Sequence, residues 1–267
     1  MKTIKIQGGI GNQLFGLALA HSATLASREP VALDLAAYAS DRYGHTFVLE
    51  DLTRDLGNFR RVHRPVMGAR LTTALTRAIP LPGYVSEGAP PGDRAALAAL
   101  IAKGSYFNGY WQNEAYIAAP EVLAARTREV VFRRAGPSAA RDIVIHYRTY
   151  KDEIRLRARR TPGADYVRAA LAHIESTLGQ PAEVALVSDD PALALRILGD
   201  VGRTITVAAS ADPWDDLAHL MSAQALVLTN SSFSWWGGFC GPAKVVVYPR
   251  PDGFFHYPMP AARFVCL

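Results

Sequence analysis

Parallel α/β architecture is the fold class that the sequence predicts. Short apolar strands alternate with longer amphipathic segments in both halves of the chain, and this alternation is typical of parallel sheets connected by helices. A chain of 267 residues is long enough to bury a substantial core, as one large or two small domains. No long polar low-complexity run is present, so we expect an ordinary globular protein.

The first half opens with a β-α-β unit. Its predicted elements are a strand at Thr3–Gln7, a glycine turn at Gly8–Gly11, a helix at about Asn12–Ser27 and a strand at Val31–Asp34. The following segment, roughly Leu52–Gly104, is rich in Pro, Gly, Ala and Arg, and its periodicity predicts only loosely helical and loop-like structure.

The second half predicts a doubly wound sheet, which normally binds ligands at the carboxyl ends of its strands. An Ala-Gly-Pro-Ser stretch at 135–138 is interpreted as the connection between the two domains. The predicted strands are Ile143–Tyr147, Glu183–Ser188, Thr204–Ala208, Ala225–Thr229 and Lys244–Tyr248. The predicted helices are Asp165–Leu178, Ala192–Leu198, Pro213–Ser222 and one that begins at about Ser232.

The composition of the chain indicates its expected cellular location, the state of its cysteines and whether nucleic acid is an expected partner. No apolar stretch is long enough to cross a bilayer and no signal peptide opens the chain, so the cytoplasm is the expected location. Two cysteines, Cys240 and Cys266, do not make a disulfide framework and are expected to be free thiols. The net charge of +5 does not predict nucleic-acid binding, because the most basic stretch, Arg148–Arg160, has no aromatic ladder.

The glycine turn between the first strand and its helix is one candidate binding loop. Gly9 and Gly11 would let the backbone approach a ligand, and the following helix start would favour an anion. As a dinucleotide fingerprint the loop is incomplete, because Leu14 stands where a third small residue is expected, although Asp34 falls near the usual acidic position. A tight turn without function is the alternative.

Polar residues also follow two strands of the second half. His146 and Arg148 lie where a ligand of a doubly wound sheet would bind, although Arg148 could merely pair with a surface carboxylate. Asp189 and Asp190 end another strand. A carboxylate there could accept two hydrogen bonds from guanine, or Asp190 could merely cap the next helix.

A third strand end carries the sequence Asn230-Ser231-Ser232-Phe233. Serine hydroxyls and backbone N–H groups at a helix start suit a pyrophosphate. The tryptophans that follow, Trp235 and Trp236, are interpreted as core packing of the helix against the sheet.

Four ordered motifs together resemble the bacterial α-1,2-fucosyltransferases, which belong to glycosyltransferase family 11. The residues that carry the resemblance are Gly8–Phe15, Gly109–Tyr116, Ser188–Asp190 and Asn230–Trp236, and the match extends over most of the chain. Such a relationship implies a GT-B fold, with two Rossmann-like domains facing a cleft. Residues 1–135 would form the acceptor-side domain and residues 136–267 the domain that binds the nucleotide sugar.

The resemblance also implies roles for single residues in an inverting transfer of fucose from GDP-fucose to a galactoside hydroxyl of a glycan. Arg148 would bind the β-phosphate of the donor, Asp190 the guanine, and Asn12 would lie near the reacting sugar. The pyrophosphate region would contact Ser231, Ser232 and Phe233, with Gly9, Gly11, His146, Asp189 and Asn230 completing the donor site. No metal or other cofactor is implied, because arginine can stabilise the departing GDP.

One motif departs from the family pattern His-x-Arg-Arg-x-Asp. Here Thr149 replaces the second arginine, and the acidic residue is displaced by one place to Asp152. Lys151 or Arg155 could restore the missing charge. The sequence does not identify a general base, for which Asp152, Glu153 and Glu114 are the candidates.

Other functions and partners stay open at this stage. A non-catalytic protein that binds GDP-sugar or glycan agrees with the altered arginine motif, and an NAD-dependent oxidoreductase agrees with the glycine turn and Asp34. The sequence does not identify the acceptor glycan, because loops of the first domain would line its pocket. If the acceptor is lipid-linked, the basic stretch Arg155–Arg160 is a candidate for peripheral membrane contact, against a merely solvated charged face.

Overall fold

The computed structural model describes residues 1–27, 29–41, 43–57, 59–62, 82–136, 138, 141–150, 161–179, 182–250 and 263–267. The chain forms two compact units, Met1–Arg126 and Thr127–Leu267. The division falls inside the helix Pro120–Ala135, before the predicted boundary at residues 135 and 136.

The first unit contains a parallel sheet. Its described strands are β1 (Lys2–Lys5), β2 (Val31–Asp34), β3 (Arg60–Val62), β4 (Tyr84–Ser86) and β5 (Tyr106–Asn108), in the order β3-β2-β1-β5-β4. The described helices of this unit are α1 (Ile10–Ala26), α2 (Glu50–Leu56) and α3 (Arg94–Lys103), and α4 (Pro120–Ala135) runs from it into the second unit. Strand order reverses between β1 and β5, where an open α/β sheet normally binds its ligand.

The second unit contains a longer parallel sheet. Its strands are β6 (Arg141–Tyr147), β7 (Val184–Ser188), β8 (Ile205–Val207), β9 (Ala223–Val227), β10 (Val245–Tyr248) and β11 (Phe264–Cys266). The order β11-β10-β9-β6-β7-β8 is that of a dinucleotide-binding Rossmann sheet, and it reverses between β6 and β9. The helices are α5 (Ala164–Leu178), α6 (Pro191–Leu198), α7 (Pro213–Ser222) and α8 (Ser232–Cys240).

Strand β6 shows why the second sheet is buried on both faces. Ile143, Ile145 and Tyr147 pack into one apolar cluster, while Val144 between them packs into a second cluster on the other side. Alternate side chains of a strand point to opposite faces, so an uninterrupted apolar run must be covered twice.

The predicted fold class is confirmed, since each unit is a parallel α/β sheet with helices. The β-α-β unit and every strand and helix predicted in the second half are present within two residues of their expected ends. Trp235 and Trp236 are buried in the core as predicted, and both cysteines are free thiols.

The middle of the chain is more regular than predicted. Within Leu52–Gly104 the structure has β3, β4 and α3, where the sequence indicated only loosely helical and loop-like structure. Both strands have three residues and expose side chains, so no alternation of polar and apolar residues marks them. Across the described ranges, no helix has the length and apolar character that a membrane span requires.

Candidate functional site

The clearest candidate site lies at the carboxyl edge of the second sheet, where β6 and β9 meet. Arg148 follows β6, and its backbone N–H donates to Thr229 Oγ1 at 3.0 Å. Two residues further on, the Tyr150 hydroxyl donates to the carbonyl oxygen of Asn230 at 2.5 Å. The residues after β6 are therefore tied to the residues that precede α8.

Arg148 keeps an accessible guanidinium. Its side chain is 44% exposed, and Nη1 lies 3.4 Å from Asp189 Oδ2. The guanidinium carbon lies 5.6 Å from the centre of the Tyr150 ring. Pairing with a carboxylate, the alternative raised by the sequence, is therefore present, but at 3.4 Å it is a loose contact that leaves donor N–H groups for a ligand.

Asp189 is engaged mainly with Thr149. Its Oδ1 accepts from the Thr149 N–H at 2.7 Å and from the Thr149 hydroxyl at 3.0 Å. Thr149, which stands where the family pattern has a second arginine, is completely buried and bonded to this carboxylate. Tyr150 then adopts a φ of 49°, a left-handed conformation that is uncommon outside glycine and is found often at functional sites.

Asp190 caps a helix. Its Oδ1 accepts from the Leu193 N–H at 2.9 Å, so the capping alternative raised by the sequence is observed. The Ser188 hydroxyl donates to the Tyr147 carbonyl oxygen at 2.7 Å and accepts from the Asp190 N–H at 3.2 Å. These bonds hold the ends of β6 and β7 together.

The start of α8 completes this edge. Ser231 is the N-cap residue, and its Oγ accepts from the Phe233 N–H at 3.3 Å. Ser231, Ser232 and Phe233 are half-buried, whereas Asn230 is buried. A helix start beside an arginine is suited to an anion such as a diphosphate.

His146 lies beneath the edge. Its ring is 5.4 Å from that of Phe233, and its side chain is 5% exposed. Burial, and secondarily the positive charge of Arg148, lower the pKa of His146 to about 3, against an opposing effect of Asp189. The imidazole is therefore neutral at pH 7, and in the described part of the chain its buried Nδ1 has no hydrogen-bond partner.

The glycine turn of the first unit is held by the side chains of Gln13, from the opening motif, and of Tyr38, to which the sequence assigned no role. Gly8 has a φ of +75°, and its carbonyl oxygen accepts from the Tyr38 hydroxyl at 3.2 Å and from Gln13 Nε2 at 3.0 Å. Gln13 is buried and also bonds the backbone of Thr46 and Val48. Gln13 belongs to the opening motif Gly8–Phe15, and a buried amide near the start of an apolar helix is a second signal for such a role.

The opening motif Gly8–Phe15 and the mid-chain motif Gly109–Tyr116 meet at the carboxyl edge of the first sheet. Gln112 Nε2 donates to Asn12 Oδ1 at 2.6 Å. The Glu87 carboxylate accepts from the N–H groups of Tyr110, at 2.7 Å, and of Gln112, at 3.1 Å. The two motifs flank the reversal of strand order between β1 and β5.

The general-base candidates are placed unequally. Glu114 opens a 3₁₀ turn at Glu114–Tyr116, and partial burial raises the pKa of its carboxyl group. Asp152 and Glu153 lie outside the described residues. Within the described residues, no group of three or more His, Cys, Asp and Glu side chains is arranged to hold a metal ion.

The chain is similar to several solved structures. These include ADP-heptose lipopolysaccharide heptosyltransferase II of E. coli, with 10% identity and a TM-score of 0.49 over 100% of this chain and 90% of that chain. POFUT1 in complex with GDP shows 12% identity and a TM-score of 0.46 over 92% and 98%. The α-1,6-fucosyltransferase NodZ soaked with GDP-fucose shows 12% identity and a TM-score of 0.45 over 90% and 92%.

Sequence comparison identifies the family. No curated protein matches the chain. The model of glycosyl transferase family 11 matches residues 102–252, which are more than half of the chain. That span contains the mid-chain motif Gly109–Tyr116 and the strand ends of β6, β7 and β9 that form the candidate site. The chain therefore belongs to glycosyl transferase family 11.

Proposed function

We propose that this glycosyltransferase moves fucose from GDP-fucose to a galactoside hydroxyl of a glycan, with inversion at the anomeric carbon and an α-1,2 linkage. The observation that carries the proposal is the hydrogen bond that joins the backbone of Arg148 to the segment just before α8. The Arg148 N–H donates to Thr229, three residues before Ser232, at the reversal of strand order in the second sheet.

The diphosphate of the donor would lie between the Arg148 guanidinium and the first turn of α8. An arginine can bind phosphate oxygens through two N–H groups, and the helix start adds backbone donors and a partial positive charge. Because negative charge develops on the departing GDP, both groups stabilise the transition state more than the ground state. Arginine supplies this charge without a metal, so we expect turnover to continue in a chelator.

Guanine would be recognised by Asp190. One carboxylate can accept from both N1–H and N2–H₂ of guanine, which adenine and uracil do not offer in that arrangement. Oδ1 of Asp190 already accepts one bond, from Leu193, and each carboxylate oxygen can accept a second. The helix cap therefore supports this role by fixing the orientation of the carboxylate.

The transfer itself is a displacement at the anomeric carbon. The acceptor hydroxyl attacks from the face opposite the leaving phosphate, the bond to the β-phosphate oxygen breaks, and GDP leaves with the electron pair. Precise placement of the two substrates accounts for much of the acceleration. Asn12, held by Gln112 in the first unit, is the proposed residue next to the reacting sugar.

Thermal stabilisation by nucleotides tests the donor. We expect GDP to raise the melting temperature more than UDP, ADP or NAD, because ligand binding to the folded state stabilises it by mass action. Equal stabilisation by all four, or stabilisation by NAD alone, refutes the guanine assignment, and the second result favours an oxidoreductase. Tight GDP binding with no GDP release across a panel of β-galactosides would instead indicate a non-catalytic binding protein.

Arg148→Ala tests the phosphate contact. The exposed side chain contributes little to the core, so we expect an unchanged melting temperature without ligand, loss of GDP stabilisation and loss of transfer. Arg148→Lys keeps the charge without the two-pronged geometry and should lose less. Arg196→Ala, on the exposed side of α6, is the matched control and should behave as wild type. Wild-type turnover in Arg148→Ala contradicts the proposal.

A further inference from the structure

A second group of residues at the carboxyl edge of the first sheet has the geometry of an oriented base. His45 Nδ1 lies 2.9 Å from Asp41 Oδ2. The same carboxylate oxygen accepts from the backbone N–H of His45 at 2.9 Å and of Tyr43 at 3.0 Å. The imidazole is thus fixed at one nitrogen, and the tautomer that donates from Nδ1 leaves Nε2 as a proton acceptor.

Nε2 points at the glycine turn. A methyl group at Gly9 would lie 3.3 Å from His45 Nε2 and 3.4 Å from Cδ2, so a side chain at position 9 would crowd the ring. Gly9 is the N-cap residue of α1, whose first turn also contains Asn12. The imidazole therefore borders the loop that the sequence motif and the strand reversal both place at the ligand edge of this sheet.

The loop that carries His45 is anchored. Gln13 Nε2 donates to the carbonyl oxygen of Thr46 at 2.8 Å, and the Val48 N–H donates to Gln13 Oε1 at 3.1 Å. At the same time the His45 side chain is 36% exposed, so part of the ring faces solvent. An imidazole that is held by a carboxylate, anchored through its loop and open to solvent can position one proton acceptor accurately.

We propose that His45 is the general base of the transfer and that Asp41 is its positioning residue, an inference that rests on the proposed function. The acceptor O–H proton moves to His45 Nε2 while the oxygen electron pair forms the bond to the anomeric carbon. The bond from that carbon to the β-phosphate oxygen breaks, and GDP keeps its electron pair. Asp41 stabilises the imidazolium, which later releases the proton to water.

Replacement of the imidazole gives a direct test. We expect His45→Gln and His45→Ala to lower kcat for transfer from GDP-fucose to a β-galactoside about a hundredfold or more, since a positioned base contributes on that scale. Stabilisation by GDP and the KM for GDP-fucose should stay near the wild-type values. Asp41→Asn should lower kcat less, because the imidazole remains.

Chemical rescue separates a base from a residue that only shapes the loop. Added imidazole should restore part of the activity of His45→Ala and none of the activity of Arg148→Ala, whose defect is different. Failure of rescue, or an unchanged kcat in His45→Gln, overturns the inference. The proposed function is unaffected by either result as long as the wild-type protein transfers fucose. A wild-type protein that releases no GDP with the whole β-galactoside panel overturns the proposed function and the inference together.

Discussion

The buried imidazole of His146 should make the protein less stable in mild acid than at neutral pH. An unfolded histidine binds a proton with a pKa of about 6.5, whereas burial beside Arg148 lowers the pKa of folded His146 to about 3. Between these values the unfolded state holds the proton and the folded state does not. The stability contributed by the neutral ring is therefore complete above pH 6.5 and is lost as the pH falls.

The magnitude follows from the two pKa values. Between pH 7 and pH 5 the unfolded histidine becomes almost fully protonated, while the folded one stays neutral. Each pH unit in that range costs up to about 1.4 kcal/mol, so His146 should reduce the free energy of unfolding by about 2 kcal/mol. This is a large part of the stability of an ordinary domain.

Urea unfolding followed by tryptophan fluorescence at pH 7 and pH 5 measures the effect. His146→Gln has no titrating ring, so its loss of stability between the two pH values should be smaller than the wild-type loss by about 2 kcal/mol. Any loss of packing against Phe233 is the same at both pH values and cancels in this difference. A wild-type and a variant protein with equal losses would refute the reasoning.

Two further substitutions test separate features of the second unit. Asp190→Ser keeps a helix-capping oxygen but removes the carboxylate. The free energy of unfolding should therefore stay within about 1 kcal/mol of the wild-type value, while the preference for GDP in thermal-shift assays is lost. A preserved preference for GDP would show that Asp190 only caps the helix through Leu193. Gly237→Ala should lower the free energy of unfolding by about 1–3 kcal/mol in urea titrations, because its Cβ would lie 2.5 Å from Leu220 Cβ. Gly92→Ala, where nothing lies within 4 Å, is the matched control, and equal effects of the two would contradict this packing argument.

The site of the second unit was predictable because strand ends are visible in sequence. Polar residues follow each apolar strand, and the parallel topology brings the carboxyl ends of these strands to one edge of the sheet. Arg148 and Asn230 were found in this way. The bonds that join them were not, because the sequence does not show that Thr229 accepts from Arg148 or that Asp189 is occupied by Thr149.

The first unit was less predictable for a physical reason. Its β3 and β4 have three residues each, with exposed and half-buried side chains, so the hydrophobic period cannot reveal them. Asp41 and His45 lie in a loop, where polar residues carry no pattern. Only the folded chain shows that one carboxylate fixes the imidazole and that the ring faces Gly9.

The central place of β6 has a consequence for biosynthesis. Among the described strands of its unit β6 leaves the ribosome first, yet its neighbours follow much later, since Ile143 pairs with Val184 on one side and with Ala225 on the other. Until both arrive, an apolar strand has two open edges that can pair with other chains. Such distant pairings are slow to form, so we expect β6 to be open to wrong partners until β9 has been translated.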